Sequence, residues 1–448
     1  AYREGGWVGL AVPEAHGGQG LPRALASAVL EIVHGANMAF GLCPLLSQGA
    51  IEALMAHGSD ELQATYLPKL VSGEWTSTMN LTEPQAGSDV GALKTRAERN
   101  DDGSYAISGQ KIYITWGDHD VAENIIHLVL ARLPNAPAGN RGISLFLVPK
   151  FKLDTDGQPG EANGVACIGL EEKLGIHASP TCVMEYSNAK GWLIGEENRG
   201  LACMFTMMNA ARLNVGFQGI AIAEAAYQEA LAYALDRQQG YAPGSKQQVA
   251  IINHPDVRRT LLSMKSRTTA ARGIAYCCAI AADLVDAADN DEARENARLR
   301  EELLTPIVKA WSTDIGVDVA SDAIQLHGGM GFMKDTLVSQ LYRDARIAPI
   351  YEGTNAIQAM DLVGRKLTMA NGKAMADMLK DISATVDSSR QSNDPVLVQI
   401  ADRLDAAREA LSDATDWMRA TMSSAPSRIT RVTASAEPKA NSPRTCIS

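Results

Sequence analysis

The spacing of apolar positions changes character several times along this 448-residue chain. After a turn-rich opening, Pro13 to Pro22, apolar residues recur at helical spacing from Arg23 to His34 and from Gly49 to His57. From Thr76 the period shortens. Tyr105 to Thr115, Ile125 to Ala131 and Ile143 to Val148 read as strands, separated by Asn100-Asp-Asp-Gly103 and by proline and glycine clusters. Gly195 to Gly200 then returns the chain to helix. Met204 to Asp236, His254 to Asp286 and Leu303 to Leu326 are long, alanine-rich and apolar on one face, which predicts a bundle. The pairs His254-Pro255 and Thr305-Pro306 are expected at helix starts, where a missing N–H costs nothing. A further helical region runs from Ala374 to about Met422.

These textures give an α+β chain: a helical layer over 1–75, a β domain over 76–190, a helical bundle over 191–370 and a helical extension over 371–422. Residues 423–448, rich in serine, threonine, alanine and proline without apolar periodicity, are expected to be disordered. The chain opens at Ala1 without a methionine, directly on Glu4-Gly-Gly-Trp7, and the expectation is a truncated or processed start.

Composition narrows the class. A formal net charge of −11 argues against a general nucleic-acid binder, because phosphate affinity is built from lysine and arginine. Seven cysteines without metal-ligand spacing point to free thiols in a reducing compartment, expected to be the cytosol. No uninterrupted apolar run of about twenty residues predicts a membrane span. No metal is expected: the eight histidines form no ligand motif, and His119 and His327 read as structural or solvent-facing. A nucleotide fold of the G-x-G-x-x-G type has no support either. His16-Gly-Gly-Gln-Gly20 lacks the lysine and hydroxyl of a phosphate loop and reads as a turn.

The chemistry concentrates between Gln325 and Gln358. Glu352 has Pro349, Ile350 and Tyr351 beside it, apolar neighbours that favour a protonated carboxyl and suit it to act as a base. The plain alternative pairs it with Arg343 or Arg346. Gly328, Gly329 and Gly331 follow a helical run and read as a helix end or a ligand-facing turn. A second polar segment, Asn80-Leu-Thr-Glu-Pro-Gln-Ala-Gly-Ser-Asp89, opens the β domain and offers hydroxyls and backbone N–H groups.

Together the glycine turn, Arg343-Asp-Ala-Arg346, Tyr351-Glu-Gly-Thr354, the Thr82 to Asp89 segment and Gln110-Lys-Ile-Tyr-Ile-Thr115 resemble the signatures of the flavin-dependent acyl-CoA dehydrogenases. The resemblance covers about residues 1–420 and is strongest to the branch that contains 3-methylmercaptopropionyl-CoA dehydrogenase. It implies an N-terminal helical domain, a middle β-barrel and a C-terminal bundle, with FAD as cofactor. It implies Glu352 as the catalytic base, with Tyr351, Gly353, Ser88 and Arg212 toward the substrate. It assigns Thr82, Ser88, Tyr113, Thr115 and Thr354 to the flavin, and Arg237, Gln325, Gly328 and Gly329 to a cofactor shared across a subunit interface. Asn80 stands where the family more often has a smaller residue, which implies an altered approach to the ring edge.

The implied activity is α,β-dehydrogenation of an acyl-CoA, either 3-methylmercaptopropionyl-CoA or a fatty acyl-CoA. The implied electron acceptor is an electron-transfer flavoprotein, and the implied assembly a homodimer or homotetramer. An acyl-CoA oxidase would share these residues and differ by producing peroxide. A non-catalytic binding protein on the same scaffold, using basic residues of the tail such as Arg428 and Arg431, would bind DNA in a salt-sensitive manner and leave a flavin unreduced.

Overall fold

The computed structural model describes residues 1–424 and divides them into two compact units, which meet in sequence after Gln358. In the first unit, α1 (Arg23–His57) and α2 (Asp60–Val71) precede the strands. α1 covers in one stretch what the periodicity divides into two helices. Asn37 breaks its geometry (φ −160°, ψ 95°), and the Asn37 side chain accepts the Phe40 N–H at 3.0 Å, capping the second half. Two helices therefore meet end to end at Asn37. α2, which the pattern did not single out, is capped by Ser59 and buries Leu62, Leu67 and Leu70.

The strands are β1 (Trp75–Asn80), β2 (Arg96–Arg99), β3 (Tyr105–Thr115), β4 (Asn124–Arg132), β5 (Ile143–Pro149), β6 (Phe151–Leu153), β7 (Pro159–Ala162), β8 (Val165–Leu170) and β9 (Thr181–Ile194). β6 and β7 form a separate pair. The others form a seven-stranded sheet that curls back on itself, because β5 pairs with both β9 and β4. The barrel implied by the family resemblance is thus present. Ile107, Val129, Phe146, Met184 and Tyr186 fill its interior, and a second core, with Leu54, Leu67, Trp75, Leu128, Leu145 and Met204, joins the sheet's other face to the helices.

Three long helices follow: α3 (Gly200–Asp236), α4 (Pro255–Ala287) and α5 (Asp291–His327). Pro255 starts α4 as expected, but Pro306 does not start a helix. α5 begins well before it, where the Asn290 side chain accepts the Ala293 N–H at 2.9 Å. Pro306 lies buried inside α5, while Thr305 returns its hydroxyl to the Glu301 carbonyl at 2.8 Å. Burial between neighbouring helices outweighs the lost hydrogen bond that made the proline look like a boundary. Shorter helices α6 (Leu337–Ala345) and α7 (Asn355–Asp361) complete the bundle.

By length and composition alone α1 and α4 are apolar enough to cross a bilayer, although neither contains an unbroken apolar run. Here both carry buried faces of the fold, Leu42, Leu46 and Leu54 on α1 and Met264, Ala271 and Cys278 on α4. The six described cysteines are free thiols.

In the second unit the expected single extension is two helices, α8 (Lys373–Arg390) and α9 (Pro395–Ser424), packed on each other. The break falls at Pro395, where the Asp394 carboxylate accepts the Val396 N–H at 2.8 Å. The expected disordered tail, beyond Ser424, lies outside the described residues.

What positions the site is the crossing of α3 and α5. A Cβ at Gly219 would stand 2.3 Å from the Ser312 carbonyl oxygen, and one at Gly316 would stand 2.7 Å from the Gly219 carbonyl oxygen. Only hydrogen atoms fit there. Gly219→Leu is expected to destabilise the protein by about 1–3 kcal/mol through overpacking, read as a lower denaturation midpoint; an unchanged midpoint would show that the close approach is dispensable.

Candidate active site

After α6 the chain makes tight turns, with Ala348 and Ile350 donating to the carbonyls of Ala345 and Ile347 at 3.1 and 2.9 Å. It then enters the left-handed region at two successive residues, Glu352 (φ 55°) and Gly353 (φ 84°). Glycine takes this conformation freely, whereas a glutamate there is strained and needs surrounding contacts to hold it. Those contacts are present. Gln358 donates to the carbonyls of Glu352 and Gly353, each at 3.2 Å, the Asn355 N–H closes the turn on the Pro349 carbonyl at 3.1 Å, and buried Arg212 on α3 points Nε at the Glu352 carbonyl at 3.4 Å. The Tyr351 hydroxyl donates to Gln218 on α3.

Protein surrounds Glu352 on most sides while leaving part of it open, the arrangement of a recessed group facing a crevice. Burial raises its pKa to about 7, and Arg212 and Lys309 pull in the opposite direction. Desolvation therefore wins over two cations. The alternative pairing fails: Arg343 donates to the Ser339 hydroxyl at 2.8 Å and to the Lys334 carbonyl at 3.1 Å, and Arg346 is exposed at the end of α6. Lys309 was not foreseen. It sits mid-α5, far from any motif in sequence, and the packing of the bundle brings it within the field of Glu352.

The Asn80 to Asp89 segment is held by a buried knot. The Glu83 carboxylate accepts Lys111 at 2.8 Å, the Thr95 hydroxyl at 2.6 Å and the backbone N–H groups of Lys94 and Thr95 at 2.6 and 3.0 Å. Burial alone would raise its pKa, but Lys111 and these donors hold it down at about 2. Next to the knot the Thr82 carbonyl accepts the Ile112 N–H at 3.0 Å, which sets Thr82 beside Tyr113 on β3. Tyr113 is 59% exposed, with a left-handed backbone (φ 60°), at an irregularity in the pairing of β3 with β9. A bulge re-aims a side chain in this way. Thr115 pairs with Thr181, and Ser88 is exposed on the loop. Asn80 does not alter this surface: it is fully buried, donating to Thr78 at 2.7 Å and accepting the Tyr186 hydroxyl at 2.9 Å. The loop after β8 joins the end of β3 to α6, the helix that precedes the Glu352 turn, because the Trp116 N–H donates to the Pro180 carbonyl at 2.7 Å while the Ile176 N–H donates to Asp344.

Matches to protein families agree with this geometry. The N-terminal, middle and C-terminal domains of acyl-CoA dehydrogenases match residues 1–74, 78–189 and 198–367. A 3-methylmercaptopropionyl-CoA dehydrogenase of Ruegeria pomeroyi is 51% identical over 425 residues, which are 94% of this chain and 72% of that protein. The chain belongs to the acyl-CoA dehydrogenase family. A butyryl-CoA dehydrogenase of Syntrophomonas wolfei is 42% identical over 79% of this chain and 60% of its own length. Among solved structures, the butyryl-CoA dehydrogenase of Megasphaera elsdenii superposes with a TM-score of 0.69 at 26% identity, covering 81% of this chain and 87% of that one. The chain thus spans between three fifths and three quarters of the length of these two curated relatives.

Members of the family are FAD-containing flavoproteins, and the residues present fit such a group. The exposed Tyr113, the half-buried Thr82 whose main chain bonds the neighbouring Ile112, and the exposed Ser88 offer an aromatic ring and two hydroxyls, and a Cβ at Gly87 would meet nothing within 4 Å. The other expected cofactor residues lie elsewhere. The Tyr233 and His327 rings stack at 4.2 Å, joining the end of α3, which carries the exposed Arg237, to the end of α5, which carries Gln325 and leads into Gly328 and Gly329. From Arg212 to Arg237 the helix rises about 37 Å, at about 1.5 Å per residue. One chain therefore presents two separated groups. Among the described residues no cluster of three or more histidine, cysteine or acidic side chains is placed to hold a metal. His327 bonds the Ala323 carbonyl at 2.8 Å, and His119 pairs with Thr76 at 2.9 Å. A cavity of about 890 Å³ opens between the N-terminal turns, α1 and the bundle, lined by Arg23, Leu30, Glu52, Leu213 and Asp286, and contains none of the expected site residues.

The Glu83–Lys111 pair is 3% and 0% exposed, so removing one partner strands a buried charge. Lys111→Met is expected to cost about 3–5 kcal/mol in chemical denaturation at neutral pH. Because the Glu83 pKa is depressed from 4.5 to about 2, its contribution is complete above 4.5 and is lost as pH falls through 2. The variant's stability should accordingly decline less steeply over that interval; a parallel decline would show that the pair does not stabilise the fold.

Proposed function

We propose that the chain is a FAD-dependent acyl-CoA dehydrogenase that converts an acyl-CoA to the trans-2-enoyl-CoA, with Glu352 as the base. The observation that carries this reading is the recessed, strained Glu352, whose proton affinity is raised into the neutral range. In the reaction the α C–H bond breaks and its proton passes to a Glu352 carboxylate oxygen. FAD, when bound, supplies the acceptor for the hydrogen that leaves the β-carbon as hydride. A double bond forms between the two carbons. The Glu352 N–H, which makes no hydrogen bond among the described residues, would polarise the thioester carbonyl and so acidify the α-proton. Arg212, at the Glu352 carbonyl, and Gln358 hold the turn so that the carboxylate does not swing away. Thr82, Ser88, Tyr113 and Thr115 would hold the flavin, Thr354 would meet it from the base turn, and Tyr351 and Gly353 would line the acyl chain.

The separation of Arg237, Gln325, Gly328 and Gly329 from Glu352 supports a homodimer or homotetramer in which these residues serve a neighbour's FAD. A residue roughly 37 Å along α3 from Arg212 cannot serve the same reacting centre. The relatives' names support 3-methylmercaptopropionyl-CoA or a short fatty acyl-CoA as substrate. Electron-transfer flavoprotein as acceptor rests on the family and on the fold match to butyryl-CoA dehydrogenase.

Anaerobic titration of the FAD-loaded protein with butyryl-CoA and 3-methylmercaptopropionyl-CoA tests the reading. The wild type should bleach. Glu352→Gln should keep its flavin and lose bleaching, and wild-type bleaching rates in that variant would refute the role of Glu352. Because the base must be ionised, the rate should fall as pH drops below about 7. Arg237→Ala should bind FAD roughly tenfold more weakly, the loss of a charge-assisted contact, seen in the flavin-to-protein ratio of dilute samples; undiminished retention would remove Arg237 from the cofactor site.

A further inference from the structure

Lys309 is fully buried in the middle of α5, an unusual place for an ammonium group. Its Nζ donates to the Asn355 side-chain oxygen at 3.0 Å. Asn355 starts α7, just after Glu352, and its side-chain nitrogen donates to Ala310 at 3.1 Å, Thr313 at 3.1 Å and Asp314 at 2.8 Å. A short stretch of α5 thus grips the exit of the strained turn through a single side chain. The Thr313 hydroxyl in turn donates back to the Lys309 carbonyl at 2.8 Å, so the grip and the helix share one network.

We propose that Lys309 is a positioning residue for the base: it fixes the Glu352 turn through Asn355, and its charge favours the ionised carboxylate. The proposal rests on the reading of Glu352 as base. The groups facing Glu352 are Arg212 from α3, Lys309 from α5 and Tyr351 from its own turn; those facing Lys309 are Glu352, Asp314 on its own helix and Arg212. Arg212 contributes charge but is committed to the Glu352 main chain. Lys309 approaches from a different helix, α5, with its buried Nζ held by Asn355 at 3.0 Å. Burial lowers the Lys309 pKa to about 8 while Glu352 and Asp314 oppose that fall, so the lysine keeps its charge where the base must ionise. The influence is therefore mutual: each group favours the charged form of the other.

The test compares the FAD-loaded wild type, Lys309→Gln and Glu352→Gln, following flavin bleaching by butyryl-CoA as a function of pH. The side-chain amide introduced by Lys309→Gln still offers Asn355 a donor but carries no charge. Removing a cation disfavours the carboxylate, so the acidic limb of kcat/KM should move upward by about one pH unit or more. A lower kcat with an unmoved limb overturns the proposal, because a merely structural lysine would have that effect. The same displacement should appear without cofactor or substrate, in the protonated-carboxyl infrared band of the apoprotein that Glu352→Gln abolishes. If Lys309→Gln does not fold, Lys309→Arg decides: a retained charge leaves the limb in place, and an upward displacement overturns the proposal. Bleaching that survives in Glu352→Gln sinks the base reading itself, whereas lost bleaching there with an unmoved limb in the lysine variant sinks only the role of Lys309.

Discussion

The structure depends on holding one carboxyl group in a backbone conformation that its residue type resists, at a place where water is scarce. Left-handed glutamate is costly, and so is a buried carboxylate. Neither cost would be met by the turn alone. Both are offset from outside it, by Gln358 and Arg212 on the main-chain carbonyls and by the two cations that face the side chain. The outcome is a group neither fully charged nor firmly protonated near neutrality. That balance suits the proposed role of proton acceptor, because a carboxylate with an ordinary pKa is a weaker base and a fully neutralised one is no base.

The helix crossing follows from the same requirement. Arg212 and Lys309 lie on different helices, and both must come close to one turn. Gly219 and Gly316 let α3 and α5 touch backbone to backbone, with distances that exclude any side chain. That close crossing accompanies the approach of Arg212 and Lys309 to one turn, where both act on Glu352. In the β-barrel the Glu83 knot holds the Thr82 segment beside the re-aimed Tyr113, and the Ile176–Asp344 hydrogen bond ties the loop after β8 to α6, the helix that leads into the Glu352 turn.

Much of this was legible in the sequence, for identifiable reasons. β3 matches its predicted bounds because period-two alternation and flanking turn residues are local signals. Glu352 and the Thr82 segment were legible because their chemistry is packed into short runs. What escaped depended on packing. Thr305-Pro306 looked like a boundary since local rules weigh the proline's missing N–H but not burial between neighbouring helices. Asn37 breaks α1 into two helices that meet end to end, a break marked by one side-chain cap. Asn80 read as a variation at the ligand surface, yet its side chain turns into the barrel to meet Tyr186, a partner far along the chain. Lys309 carried no signal, because a lone lysine in an alanine-rich helix normally reads as a solvated face.

The distribution of the expected cofactor residues leads to a constraint on assembly. The Glu352 turn meets α3 at Arg212, inside its first half, whereas Arg237 stands at the C-terminal end of that helix, about 37 Å further on at about 1.5 Å per residue, and Gln325 and the glycine turn close α5. Exposure adds to this: Arg237, Gln325, Gly328 and Gly329 all face outward, and Cβ atoms at the two glycines would meet nothing within 4 Å. Glycines that neither relieve a clash nor pack a core have little structural reason to be there. Gly328 does serve the left-handed end of α5, at φ 60°, but Gly329 has no such duty. An open, side-chain-free surface beside an exposed guanidinium suits the close approach of a phosphate from another molecule. The same chain offers Ser88 and Tyr113 at its own barrel, and in the proposed homodimer or homotetramer symmetry would give each site one half from each of two copies.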